Sequence, residues 1–128
     1  MNKKVLWLSI ILFAWILVAA CGLTSDMSTV RDMGKDFMTA LEEGDHTTSY
    51  AMLSPELKQE IGNLDAWAAF AGPRAFWDWS FSSTEVENDM AQMDGEASFT
   101  DGDYDIRLVF TKYGDDWKIT GINFWIQE

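Results

Sequence analysis

The 128-residue chain is predicted to form one α+β domain, with N-terminal helices covering a four-stranded antiparallel sheet. Three observations predict it. Apolar residues recur at helical spacing between Val30 and Leu41. The second half of the chain switches to period two, apolar against polar. Turn segments, Asp101-Gly102 and Tyr113-Gly114-Asp115-Asp116, fall where antiparallel hairpins need them. A sheet with one apolar face must bury it, and the amphipathic helices are the available cover.

The elements follow in order. Ser25, Asp26 and Ser28 are candidate caps for a first helix carrying Val30, Met33, Phe37, Met38 and Leu41 on one face. Gly44-Asp45 ends it. A short second helix is expected from about Thr47 to Leu53, supplying Tyr50 and Leu53. Ser54-Pro55 starts a third, with Ser as cap and Pro at the first helical position. Asp65 is expected to cap a fourth, Ala66 to Ala71, bearing Trp67 and Phe70; Gly72-Pro73 stops it. The strands then read Trp77-Trp79-Phe81, Ala91-Met93-Gly95-Ala97-Phe99, Tyr104-Ile106-Leu108-Phe110 and Trp117-Ile119, each alternating with polar neighbours. Val109, Ile122 and Phe124 are expected on the outer face of the sheet, as an exposed apolar patch.

Before the domain comes a leader. Lys3 and Lys4 precede an apolar run, Val5 to Ala20, in which Ser9 is the only polar side chain. A secretory leader has a basic head, an apolar centre of about 7–15 residues and small residues at the cut. Here Leu17-Val18-Ala19-Ala20-Cys21-Gly22 resembles the lipobox of bacterial lipoproteins. The resemblance implies cleavage before Cys21 and a diacylglycerol on its sulfur. It divides the chain into a signal peptide at 1–20, a lipidated Cys21 with a short tether at 21–27, and a domain at 28–128. The expected location is the cell membrane or envelope, lipid-anchored, with the domain on the extracytoplasmic side. The other reading is an uncleaved single-span anchor, since Trp7 and Trp15 suit membrane interfaces and a span needs about 20 apolar residues.

Composition narrows the partners. The net charge is −12, and taking Lys3 and Lys4 from the nine basic residues leaves seven against 21 acids, or −14. Phosphate contacts need clustered Lys and Arg, so nucleic acid is excluded as a partner. With the leader gone, 108 residues remain of the 128, enough for one domain.

Catalytic signals are few. His46, the sole histidine, falls in the turn after the first helix and is expected at the surface. One His and one Cys cannot assemble a zinc site. Asp101-Gly102-Asp103-Tyr104-Asp105 opens like a calcium loop, but the loop's sixth and twelfth positions hold Ile106 and Lys112, where Gly and Glu are needed. No metal, no cofactor and no catalytic residues are assigned. Asp78, Tyr104 and Arg107 are polar residues on the predicted strands, and alternation puts Asp78 on the polar face.

Two segments carry a fold resemblance. Phe37 through Leu41-Glu42-Glu43-Gly44-Asp45 to Tyr50-Ala51-Met52-Leu53-Ser54-Pro55-Glu56 resembles the opening of small NTF2-like domains of the cystatin-like superfamily. Tyr113-Gly114-Asp115-Asp116-Trp117-Lys118-Ile119 is similar to their final hairpin. The resemblance implies a strongly curved sheet wrapped around helices, a cone with a cavity. Trp77, Trp79, Phe81, Tyr104, Phe110 and Trp117 are the candidate lining of that cavity. The function expected is a membrane-tethered module binding a small apolar ligand or an envelope protein. The alternatives are an isomerase- or dehydratase-like enzyme of the same fold, and a homodimer formed through the open face of the sheet.

Overall fold

A computed structural model describes residues 25–72 and 76–127, and within that span the side chains of residues 76 and 77 are not described. Cys21, the leader and the ring of Trp77 therefore lie outside the described residues.

Helix α1 covers residues 25–43. Its buried face carries Val30, Phe37, Met38 and Ala40, with Met33 and Leu41 half-buried beside them. Ser25, Asp26 and Ser28, expected as caps, are already helical. Asp26 reaches instead across the fold, where Lys112 Nζ donates to its Oδ1 at 3.0 Å and Trp117 Nε1 donates at 3.3 Å. The helix ends at Gly44, whose φ of 73° suits glycine. Gly44 N bonds Leu41 O at 3.2 Å and Asp45 N bonds Ala40 O at 2.8 Å, which closes the last turn.

Helix α2, His46–Ala51, is capped by Asp45, which accepts from Thr48 N at 3.1 Å. It is shorter than expected. Leu53 leaves it to form a parallel bridge with Ile119, and Ser54 N bonds Ile119 O at 2.8 Å. Helix α3, Pro55–Ile61, starts as predicted: Ser54 Oγ accepts from Leu57 N and Pro55 is at the first helical position. Helix α4, Leu64–Ala71, starts two residues earlier than expected. Its cap is Asn63, not Asp65, because the Asn63 Oδ1 takes the Ala66 N–H at 2.8 Å.

Four antiparallel strands follow in meander order: β1 Phe76–Glu87, β2 Met90–Phe99, β3 Gly102–Tyr113 and β4 Asp116–Ile126. The first hairpin turns at Asn88-Asp89, with Asn88 at a φ of 56°. The inner face carries Ala91, Met93, Ala97, Ile106, Leu108, Phe110, Trp117 and Ile119, all buried.

Three register shifts interrupt the sheet; one lies between Phe76 and Asp78, and the other two are bulges that reverse which side chains face the core. In β1 the register jumps from Phe81↔Gly95 to Ser83↔Asp94, so Ser82 is an extra residue. Residues facing inward switch there from odd to even numbers: Trp79 and Phe81 before it, Val86 after it, all packed against the core. In β4 the register jumps from Phe110↔Ile119 to Val109↔Gly121, so Thr120 is extra. Ile122 and Phe124 therefore turn inward and pack against the core, which corrects their expected place on the outer face. Trp125 takes the outward position and is 47 % exposed. Bulges bend and twist the strand that carries them, and these two sit on the two edge strands of the curved sheet.

Lys112 and Arg107 make the ion pairs found among the described residues, with Asp26 and Asp94 respectively. Hydrogen bonding from the Lys112 ammonium, then from the Trp117 N–H, holds the Asp26 carboxyl below its ordinary value. The Arg107 guanidinium does the same for Asp94. A depressed carboxyl pKa in the folded state makes stability full above the ordinary carboxylate range near pH 4, and that stability is lost as pH falls through the folded values. Melting temperature is thus expected to drop below about pH 4. Asp26→Asn should flatten part of that acid slope, and an unchanged slope in acid melts of the variant would refute the assignment.

Candidate functional site

An apolar hollow lies between the helices and the C-terminal ends of the sheet. Leu41 of α1, Trp67, Phe70 and Ala71 of α4, Phe99 of β2, and Ile122 and Phe124 of β4 line it. The local reasons are clear. Residues 67, 70 and 71 share one face of α4 by helical spacing. The Thr120 bulge is what brings Ile122 and Phe124 to the same side. Trp67 is fixed from behind, since its Nε1 donates to the buried Ser49 Oγ at 2.8 Å. The aromatic rings pack in series: Phe37 to Trp67 at 6.1 Å, Trp67 to Phe70 at 5.8 Å, and Phe99 to Phe124 at 5.8 Å. The hollow is about 10 Å³, no more than one water molecule needs. The cone is packed at its centre. Phe70 stands at the rim, 48 % exposed.

Among the described residues, no titratable side chain lines this hollow. Its chemistry is that of apolar contact alone.

The residues expected to line a cavity are dispersed. Phe110 and Trp117 are 0 % and 4 % exposed within the packed core. Trp79 and Phe81 pair edge to face at 5.9 Å, and Trp79 Nε1 donates to Glu42 Oε2 at 3.0 Å. Tyr104 donates its hydroxyl to Asp101 Oδ2 at 2.8 Å and packs on Phe99 at 4.8 Å. Trp77 is the unpaired residue at the register shift between Phe76 and Asp78 in β1, and its ring is outside the described residues. The lining seen instead comes partly from residues that the sequence placed correctly on α4, namely Trp67 and Phe70. Ile122 and Phe124 were hidden by the bulge, for which Gly121 is the one local signal.

The polar strand residues also separate. Asp78 is exposed at the outer face, beside a recess of about 90 Å³ that Glu96, Ser98 and Asp103 share. Arg107 Nε donates to Asp94 Oδ1 at 2.7 Å, and its guanidinium lies 5.6 Å from the Trp125 ring centre. Asp78, Tyr104 and Arg107 thus serve three different neighbourhoods and form no acid–base pair. The acids of the 101–105 run are likewise committed separately: Asp101 to Tyr104, Asp103 to Ser98 and Asp105 to Gln127.

His46 is half-buried, where the surface was expected. The cause is that α2 begins at His46 and packs against α4, which brings His46 Nε2 beside Gly72, 3.8 Å from where a Cβ would stand there. Its Nδ1 is buried and finds no hydrogen-bond partner among the described residues.

No protein-family model matches the chain, and no curated protein is similar to it in sequence. Solved structures are similar in fold. An NTF2-like protein of unknown function from Silicibacter pomeroyi superposes with a TM-score of 0.63 at 16 % identity, covering 82 % of this chain and 98 % of that one. An NTF2-like protein from Cytophaga hutchinsonii gives 0.62 at 14 %, covering 78 % and 97 %. A DUF4783 family protein from Bacteroides uniformis gives 0.57 at 12 %, covering 70 % and 93 %. At such identities the likeness shows the fold alone: an α+β NTF2-like cone.

Proposed function

We propose that this chain is a lipid-anchored extracytoplasmic module that binds an apolar group at the mouth of its cone, and that it performs no chemistry there. The observation that carries the reading is the hollow under Phe70: seven apolar residues line it among the described ones, none of them titratable, and a half-exposed aromatic ring forms its rim. A large apolar side chain kept at a surface costs nothing to fold but favours burial by a partner. With room for about one water, the hollow admits an apolar group only if Phe70 swings outward, so the occupant is small: a short alkyl chain, an aromatic ring, or one apolar side chain of an envelope protein. The isomerase- or dehydratase-like reading needs an acid–base pair facing substrate, and the described lining supplies none.

Toluene is the probe of choice. Hydrogen exchange of α4 in the full chain, held in zwitterionic nanodiscs, is expected to slow when toluene saturates the buffer. Phe70→Asp should abolish that slowing. Unchanged exchange in the parent chain would sink the reading.

The anchor rests on the small-residue block before Cys21. Two acyl chains exceed what stable membrane residence requires, because a single myristoyl chain binds with only about 10⁴ M⁻¹. Cys21→Ser is expected to block acyl labelling and leader removal. A variant still processed and acylated like the parent would overturn the lipobox reading.

A further inference from the structure

A second recess, of about 310 Å³, lies on the other side of the fold, between α1 and the β1 bulge. Its wall is cationic and hydroxylic: Arg31 and Lys35 from α1, Ser83 and Thr84 from β1. Its floor is apolar: Phe81 and Met93. Arg31 and Lys35 are four residues apart, so they stand on one face of the helix.

These two cations are unusual in this chain. Acids outnumber basic residues by 21 to nine. Arg107 and Lys112 are held in ion pairs. Lys58 lies over the Tyr50 ring at 5.4 Å, and Lys118 donates to Ala51 O at 3.5 Å. Arg31 and Lys35 have neither an acid nor a ring nor a carbonyl among the described residues. They converge on the same recess, and both are exposed. The Ser82 bulge presents the neighbouring hydroxyls. Ser82 Oγ is spent on Asp94 O at 3.2 Å, whereas the Ser83 and Thr84 hydroxyls have no partner among the described residues. β1 is an edge strand, so among the described residues this side of the bulge faces no further strand.

We infer that this recess binds a small organic carboxylate with an apolar body. The Arg31 guanidinium presents a planar fork that takes both carboxylate oxygens. The Lys35 ammonium adds a point charge, and the hydroxyl of Thr84, which pairs with the buried Met93 and so shares the inward face of β1, donates to a remaining lone pair. The apolar body then lies over Phe81 and Met93. The volume falls at the lower end of the range for small-molecule sites, about 300–1,000 Å³, which suits a molecule the size of benzoate. Two cations are too few to hold a polyanion, and the many acids of the rest of the surface repel one. The site is separate from the hollow at the cone mouth and does not depend on it.

The test uses benzoate, with benzylammonium as its cationic counterpart, and the full chain in zwitterionic nanodiscs. Saturation-transfer NMR, blanked against empty nanodiscs, reads binding. Benzoate is expected to bind in the millimolar range and benzylammonium not at all. The double variant Arg31→Gln, Lys35→Gln should weaken benzoate at least about tenfold with an unchanged melting temperature, because both side chains are exposed. Phe70→Asp should leave benzoate binding intact, which separates this site from the cone mouth. Equal signals from the two probes, full affinity in the double variant, or loss in Phe70→Asp would each overturn the inference.

Discussion

Trp117→Ala is expected to unfold much of the population. The ring is 4 % exposed and belongs to the buried cluster that joins helices and sheet. Truncating a buried aromatic to Ala costs about 3–5 kcal/mol, against about 5–15 kcal/mol of total stability for a small domain. More than packing is lost. The Trp117 Nε1 donates to Asp26 Oδ1 at 3.3 Å, and Lys112 Nζ lies 5.9 Å from the ring centre while it holds the same carboxylate. The ring therefore sits under the ion pair that ties α1 to the final hairpin. Trp117→Phe keeps most of the apolar area but removes the N–H and part of the fused ring, so a smaller loss of about 1–3 kcal/mol is expected for it. Trp125→Ala, whose ring is 47 % exposed, should fall within about 1 kcal/mol of the parent. Denaturant melts of the three variants decide. A Trp117→Ala chain as stable as the parent would contradict the buried position of this ring.

The ion pair over that ring was invisible in the sequence. Asp26 and Lys112 are 86 positions apart, and an acid near the start of a helix reads first as a cap. The local signals, in contrast, carried well. Ser54-Pro55 starts α3, Gly44 ends α1, and the buried residues of β2 and β3 are those that alternation named. Period two holds only while the register holds. One extra residue reverses every side chain beyond it. That is why the pattern named Trp117 and Ile119 correctly in β4 and put Ile122 and Phe124 on the wrong face. Asn63 was passed over because Asp65 also fits a cap; the choice depends on which oxygen reaches a free N–H, and that is geometry. The candidate site suffered most. The hollow needs α4, β2 and the far end of β4 together, and its β4 part is placed by a bulge. The cationic recess needs α1 to lie against the β1 bulge, and no periodicity in either segment announces that meeting.

The β1 bulge depends on one glycine, and Gly95→Ala is expected to be as damaging as a large core truncation. Gly95 pairs with Phe81 where the register shifts. A Cβ added at Gly95 would stand 2.1 Å from Ser80 O and 2.8 Å from Phe81 Cα. Both are backbone atoms of the neighbouring strand, so no side-chain rotation can relieve the clash. The strand must move, and the bulge with it. Overpacking in a rigid place costs about 1–3 kcal/mol and occasionally more; the upper end is expected here. Gly34→Ala supplies the contrast. Its Cβ would meet Met93 Sδ at 2.3 Å and Met93 Cε at 2.8 Å, but those atoms are the end of a flexible side chain. Alanine within a helix is also worth about 0.5–1 kcal/mol over glycine, which offsets the cost of moving Met93. Gly34→Ala is therefore expected near neutral and Gly95→Ala strongly destabilising, although both positions are buried and both clashes are short. Because the bulge also sets Phe81 and Thr84 against the cationic recess, Gly95→Ala chains that remain folded should lose benzoate binding, while Gly34→Ala chains keep their fold. Thermal melts of the two alanine variants separate the cases: equal melting temperatures would show that β1 does not approach β2 as closely as the Gly95 contact requires.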